Sequence, residues 1–115
     1  MTKNNFTALR EVSELADAIA RSQEAPTLLF LHDMWCPISG NAYKEMSKLA
    51  AEDQDKTALI DVTSGKALSH AIEEQTGVRH ESPQVIVLRH GKAIWNASHF
   101  GITAKAVTAA IAENA

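Results

Sequence analysis

The chain has 115 residues, 45% hydrophobic and 22% charged, with one cysteine and a net charge of -3 at pH 7. That balance is ordinary for a water-soluble globular protein, and the length suits one domain over 1–115 with a single core. Nothing approaches the roughly 18 consecutive apolar residues of a membrane helix. The opening MTKNNFTALREV has neither the apolar stretch nor the small-residue cleavage site of a signal peptide, so a cytoplasmic location is expected. With a pI of about 5.9 and no cluster of Lys and Arg, neither a nucleic-acid nor a membrane partner is expected. The lone Cys36 excludes a disulfide within one chain and any multi-cysteine zinc or iron–sulfur site from a single chain. Chemistry at Cys36 therefore needs a sulfur or metal from a second molecule.

In chain order, Phe6–Leu9 reads as a short edge strand. Ser13 is placed to cap a helix whose apolar positions Leu15, Ala16, Ile19 and Ala20 follow helical spacing, and Pro26 closes that unit. TLLFLHD (27–33) is a near-continuous apolar run, the pattern of a strand buried on both faces. Pro37 suits the first position of the following helix, where its missing N–H costs nothing. Ile38, Ala42, Met46 and Leu49 form that helix's inward stripe, with Lys44, Glu45 and Lys48 outward. TALIDV (57–62) is a second buried strand. Ser64 is expected to cap a helix with Leu68, Ala71 and Ile72 inward, and Gly77 to stop it. QVIVLRH and KAIWNAS flank His90-Gly91 as a hairpin, and Thr103 caps a last helix in which Ile102 staples against Val107. The order β-α-β-α-β-α-β-β-α implies an α/β fold: a parallel sheet with right-handed crossovers, extended by an antiparallel hairpin at the edge. This is the order of the thioredoxin fold.

On that layout Cys36 sits where a buried strand gives way to a helix. Helix N-termini carry unpaired N–H groups and a positive dipole end, both favourable to an anion. As N-cap, the sulfur is placed to accept from the amides of Ile38 and Ser39, and the Ser39 hydroxyl is placed to donate to it. Such bonds favour thiolate, the nucleophilic form, over thiol. A buried, inert cysteine is the common alternative, but the strand–Cys–Pro–helix arrangement favours a reactive one. In SPQV (82–85), Pro83 opens a strand, which suits an edge or a special turn. A trans bond is the default; a cis bond would turn the Ser82 backbone toward Cys36, where it can pair with an extended peptide or a small thiol. Trp35 reads equally as core or as an exposed wall beside the sulfur, and Asp33 equally as proton carrier or turn residue. Trp95 reads as packing. His32, His70, His80, His90 and His99 fall in separate segments without the i, i+4 pairing of a helical metal site, so no metal is expected and each reads as structural or surface.

The stretches FLHDMWCPISGNA (30–42) and ESPQVIVLRHGKAIWNASHFGIT (81–103) resemble the monothiol bacilliredoxins of the YtxJ type, and with the intervening helices the resemblance covers essentially the whole chain. It implies a thioredoxin-like fold, Cys36 as nucleophile, a cis bond at Pro83, and removal of bacillithiol from S-bacillithiolated proteins. Trp35, Pro37, Ser82 and Pro83 are then the expected substrate-binding residues, with Ile38 and Ser39 stabilising the thiolate. No bound cofactor is implied. Bacillithiol or a similar low-molecular-weight thiol is the co-substrate, and S-thiolated client proteins and a disulfide reductase are the partners of an enzyme expected to be monomeric. Members of this family often carry basic residues near position 32 and just before the cysteine; this chain has Leu31 and Trp35 there, leaving less positive charge beside the sulfur. Two other readings fit a lone thiol on this fold. One is a glutaredoxin-like iron–sulfur carrier, although Pro37-Ile38 replaces the Gly-Phe of such proteins. The other is a non-catalytic redox sensor or binding module.

Overall fold

A five-stranded mixed sheet organises the protein, and the computed structural model describes residues 4–63 and 66–115. The elements are β1 (Thr7–Ala8), α1 (Val12–Arg21), β2 (Thr27–His32), α2 (Pro37–Met46), α3 (Ala51–Asp55), β3 (Thr57–Asp61), α4 (Lys66–Thr76), β4 (Gln84–Arg89), β5 (Lys92–Ser98), a 3₁₀ turn at His99–Gly101, and α5 (Ala104–Glu113). The sheet order is β1-β3-β2-β4-β5. β3 runs parallel to β1 and β2, while β4 is antiparallel to β2 and β5 to β4.

The hairpin does not lie wholly at the edge. β4 is an interior strand, buried along most of its length as its apolar run QVIVL requires, and only β5 is outermost. At its tip His90 and Gly91 both take positive φ (56° and 77°), the conformation that a tight two-residue hairpin demands.

Alternation along the strands splits the core into two layers. Leu29, Leu31, Ile60, Ile86 and Leu88 pack against Leu15 and Ala18 of α1 and Leu68 and Ile72 of α4. Leu28, Phe30, Val85 and Val87 point the other way, onto Ala42 and Met46 of α2 and Val107 and Ile111 of α5, with Trp95 and Tyr43 packed alongside. Helices thus cover both faces.

Three local expectations change. Helix α1 begins at Val12, with Ser13 inside its first turn. The Glu14 carboxylate accepts from the amides of Arg10 (3.0 Å) and Glu11 (2.9 Å), and these bonds hold its pKa below the ordinary value. Helix α2 ends at Met46, and the chain makes tight turns to Leu49, which is buried but no longer helical. A separate short α3 follows. Gln54 from α3 donates to the carbonyls of Ser47 (3.2 Å) and Leu49 (3.1 Å), satisfying groups the broken helix leaves unpaired. The expected cap Ser64 lies outside the described residues.

Other signals hold. Gly77 has φ 73° and closes α4, and the Thr103 hydroxyl accepts from the Ala106 amide at 3.1 Å. Glu45 ties α2 to the start of α5. It accepts from the Ala104 amide (3.0 Å) and from Lys48 Nζ (2.7 Å), and the Lys48 bond first, then the amide, keeps its carboxyl below the usual range.

Candidate active site

Cys36 stands at the junction of β2 and α2. Its extended backbone (φ -99°, ψ 125°) is that of an N-cap, and Pro37 opens the helix. The Cys36 carbonyl accepts the first helical bond, from the Gly40 N–H at 3.1 Å. The side chain is a free, half-buried thiol.

The turn leading into it is fastened by Asp33. Its carboxylate accepts from the Trp35 N–H (2.9 Å) and its carbonyl from the Cys36 N–H (3.1 Å), while its own N–H donates to Ser39 Oγ (3.1 Å). Aspartate side chains favour such local bonds two residues on. Asp33 is therefore the turn residue at the strand end.

Ser39 is fully buried and faces the sheet. Its hydroxyl closes the 33–39 turn by accepting from Asp33, and it makes no bond to the sulfur. Nor does Cys36 accept a side-chain capping bond from the first-turn amides. The inward face of α2 reads Ser39, Ala42, Met46, spaced i, i+3, i+7, so Ile38 falls on its flank and is only half-buried. The stripe expected to start at Ile38 starts one residue later because Ser39 is drawn inward by the Asp33 amide.

Trp35 is not a core residue: it is 82% exposed, directly before the cysteine. Met34 beside it is 63% exposed, and Pro37 is also at the surface.

The second expected segment lies on the β4 side. Leu31 of β2 pairs with Gln84 of β4, so residues 82–83 fall beside the strand end that leads to Cys36. The Ser82-Pro83 bond is cis, Pro83 is buried, and its carbonyl accepts from the His99 N–H at 3.0 Å. His99 has positive φ (54°), and its Nε2 lies 3.8 Å from the Glu81 carboxylate. The 3₁₀ turn carrying His99 packs against α2 and leaves Phe100 68% exposed. Phe100 was not distinguishable in sequence from an ordinary loop aromatic, since its exposure depends on that turn.

On the β3 side, His32 pairs in register with Asp61. The His32 ring lies 5.3 Å from Tyr43 and 5.7 Å from Phe30, centroid to centroid. Burial pushes its pKa down, against smaller opposing effects of Asp61 and Asp33. His32, Tyr43, Met34, Gly40, Leu59 and Asp61 border a cavity of about 860 Å3. Position 32 is followed by Cys36 within one turn of chain, yet nothing in the local sequence signals that strand β3 and α2 leave this space open. Among the described residues no three His, Cys, Asp or Glu side chains converge as metal ligands. No helix among them is long and apolar enough to cross a membrane.

The sequence profile of the monothiol bacilliredoxins, BrxC, matches residues 7–107. A solved candidate oxidoreductase of thioredoxin fold is 27% identical, covering 92% of this chain and 93% of its own, with a TM-score of 0.83. The thioredoxin of Fasciola hepatica superposes with a TM-score of 0.74 at 16% identity, over 96% of this chain and all of that one. A mutant thioredoxin from Halobacterium salinarum gives 0.72 at 20% identity, over 99% of this chain and 95% of its own. The last two likenesses speak to the fold.

Proposed function

The chain belongs to the monothiol bacilliredoxin family, and from that premise we propose that it removes bacillithiol from S-bacillithiolated proteins through a mixed disulfide on Cys36. The observation that carries this reading is the lone half-buried thiol at the N-cap of α2, with Ser39 buried at the position where a second thiol would have to stand.

The unpaired amides of the first turn of α2 favour negative charge at the cap. The Cys36 thiolate attacks the bacillithiol sulfur of the client's mixed disulfide. The client S–S bond breaks, a Cys36–bacillithiol S–S bond forms, and the client cysteine leaves as thiolate and takes up a proton. No net oxidation occurs in this exchange. Ser39 cannot resolve the adduct, because a hydroxyl offers no sulfur. A second bacillithiol thiolate attacks the adduct, restores Cys36 thiolate and departs as bacillithiol disulfide. That disulfide is the oxidised product of the cycle, and a separate reductase returns it to two thiols.

Trp35 and Pro37 beside the sulfur, and Ser82 and Pro83 across from it, are assigned to substrate contact. Ile38 and Ser39 contribute the first-turn amides that favour the thiolate. No bound cofactor is required; the small thiol is a co-substrate. The proposed setting is a cytoplasmic monomer acting on S-thiolated clients.

The test is release of bacillithiol from a pre-thiolated client protein in the presence of free bacillithiol and its reductase. Cys36→Ala is expected to reduce the rate to the enzyme-free background, and full activity of that variant would sink the mechanism.

A further inference from the structure

The cavity of about 860 Å3 lies on the β3 flank of Cys36, opposite the flank that holds Pro83, and the thiol does not line it. Its volume is within the range of about 300–1,000 Å3 typical of small-molecule sites. Leu59 of β3, Leu68 of α4 and the Tyr43 ring of α2 line it, so three separate elements converge on the space.

The aromatic wall is held from several sides. Tyr43 packs edge-on against Phe6, with centroids 5.7 Å apart, and tilted against Phe30 at 6.2 Å. Its hydroxyl accepts from Asn4 Nδ2 at 3.1 Å, and the His32 ring, which also borders the cavity, lies 5.3 Å away. A ring already fixed in this way loses little freedom when a ligand seats on it.

Two further observations concern the approach to that wall. Gly40 lines the cavity from within α2, without a positive φ, and a Cβ added there would meet no atom within 4 Å. Inside a helix glycine is less stable than alanine. Neither its backbone conformation nor packing calls for glycine here, and its effect is to keep this side of the cavity bare. At the mouth, the large apolar side chains of Val12 and Met34 are 44% and 63% exposed. Apolar groups left in water around a concavity mark a surface that a ligand can cover.

We propose that this cavity is a binding site for a small aromatic molecule of one or two fused rings, its flat face on Tyr43 and its edges against Leu59, Leu68 and the Met34 thioether. Recognition rests on shape and apolar contact, and sulfur beside a ring adds to it. The site is distinct from the thiol-exchange centre and does not depend on the reaction assigned to Cys36.

2-Naphthol and myo-inositol are the probes; both are uncharged at neutral pH, and only the first has an apolar face. Each is titrated into isotope-labelled full-length protein while the amide signals of Gly40, Leu59 and Leu68 are followed by NMR. 2-Naphthol is expected to shift these signals saturably below about 1 mM, and myo-inositol to leave them in place. Gly40→Leu, which improves helix propensity while placing a side chain at the cavity, is expected to weaken binding about tenfold or more in a protein whose remaining spectrum is native. Met34→Ser, at an exposed position, is expected to weaken it about threefold. Trp35→Ala is expected to leave it intact. No saturable shift by about 1 mM, equal shifts with myo-inositol, or shifts confined to the surroundings of Trp35 would overturn the proposal. So would undiminished binding by folded Gly40→Leu or, should that variant not fold, by Met34→Ser.

Discussion

On the β4 side of Cys36, Pro83 and the His99–Gly101 turn bring main chain and an exposed Phe100 ring up to the strand end; on the β3 side, His32, Tyr43 and Asp61 border a concavity. The β4 flank carries the exposed Phe100 ring, and Trp35 before the cysteine also stands clear of the surface. Such a surface suits a polypeptide that lies across it, since exposed aromatics supply contact area at low entropic cost. The β3 flank is recessed, and a protein chain cannot fill it without inserting a side chain. One helix end thus separates an exposed aromatic flank from a recessed one. The thiol sits on the boundary.

The turn that holds this boundary is where the largest effect of substitution is expected. Ser39→Ala removes the buried acceptor of the Asp33 amide without adding a partner. A loss of about 1–3 kcal/mol in stability is expected from urea midpoints at constant m-value. An unchanged midpoint would show that the turn is held by its remaining bonds alone. De-thiolation is expected to fall less than in Cys36→Ala.

Phe100→Ala separates the flanks functionally. It is expected to lower kcat/KM toward a bacillithiolated protein by about fivefold, the scale of a moderate interface residue. Alkylation of Cys36 by a small reagent should proceed at the original rate. Equal loss with both substrates would assign Phe100 to the thiol's own geometry instead of to client contact.

The smallest effect concerns pH on the β3 flank. Burial lowers the folded-state pKa of His32 from its ordinary 6.5, so the unfolded chain binds that proton more readily. Stability from this group is therefore complete above pH 6.5 and declines as pH falls through that value. His32→Phe keeps a ring against Tyr43 and Phe30 and cannot titrate. Its urea midpoint should vary less than the parent's across that window, and identical pH profiles would remove His32 from the account.

The order of strands and helices was legible because TLLFLHD and QVIVL are continuous apolar runs and because Gly77 and Thr103 carry unambiguous stop and start chemistry. The place of Cys36 followed from Pro37 and the strand before it. The break after Met46 was not legible, because apolar Leu49 continues the helical spacing while the tight turns and Gln54 that end the helix are tertiary matters. The hydroxyl of Ser39 was expected at the sulfur and is found on the Asp33 amide, since periodicity cannot say which of two nearby polar groups a short side chain will choose. Pro83 beside the strand end depends on a pairing 53 positions apart in sequence, Leu31 to Gln84 at its nearest, and the cis bond was implied by family resemblance and not by composition. Asp61 and the cavity were invisible for the same reason: three strands and three helices have to meet before the space exists.

On the proposed mechanism the small thiol, not the client, is carried on Cys36. Intact-protein mass spectrometry of a single turnover, with enzyme and bacillithiolated client mixed without free bacillithiol and quenched by acid, reads this directly. The predicted result is bacillithiol on Cys36 in step with the appearance of free client thiol. An accumulating disulfide between Cys36 and the client, or no adduct on Cys36 while client is released, would contradict it.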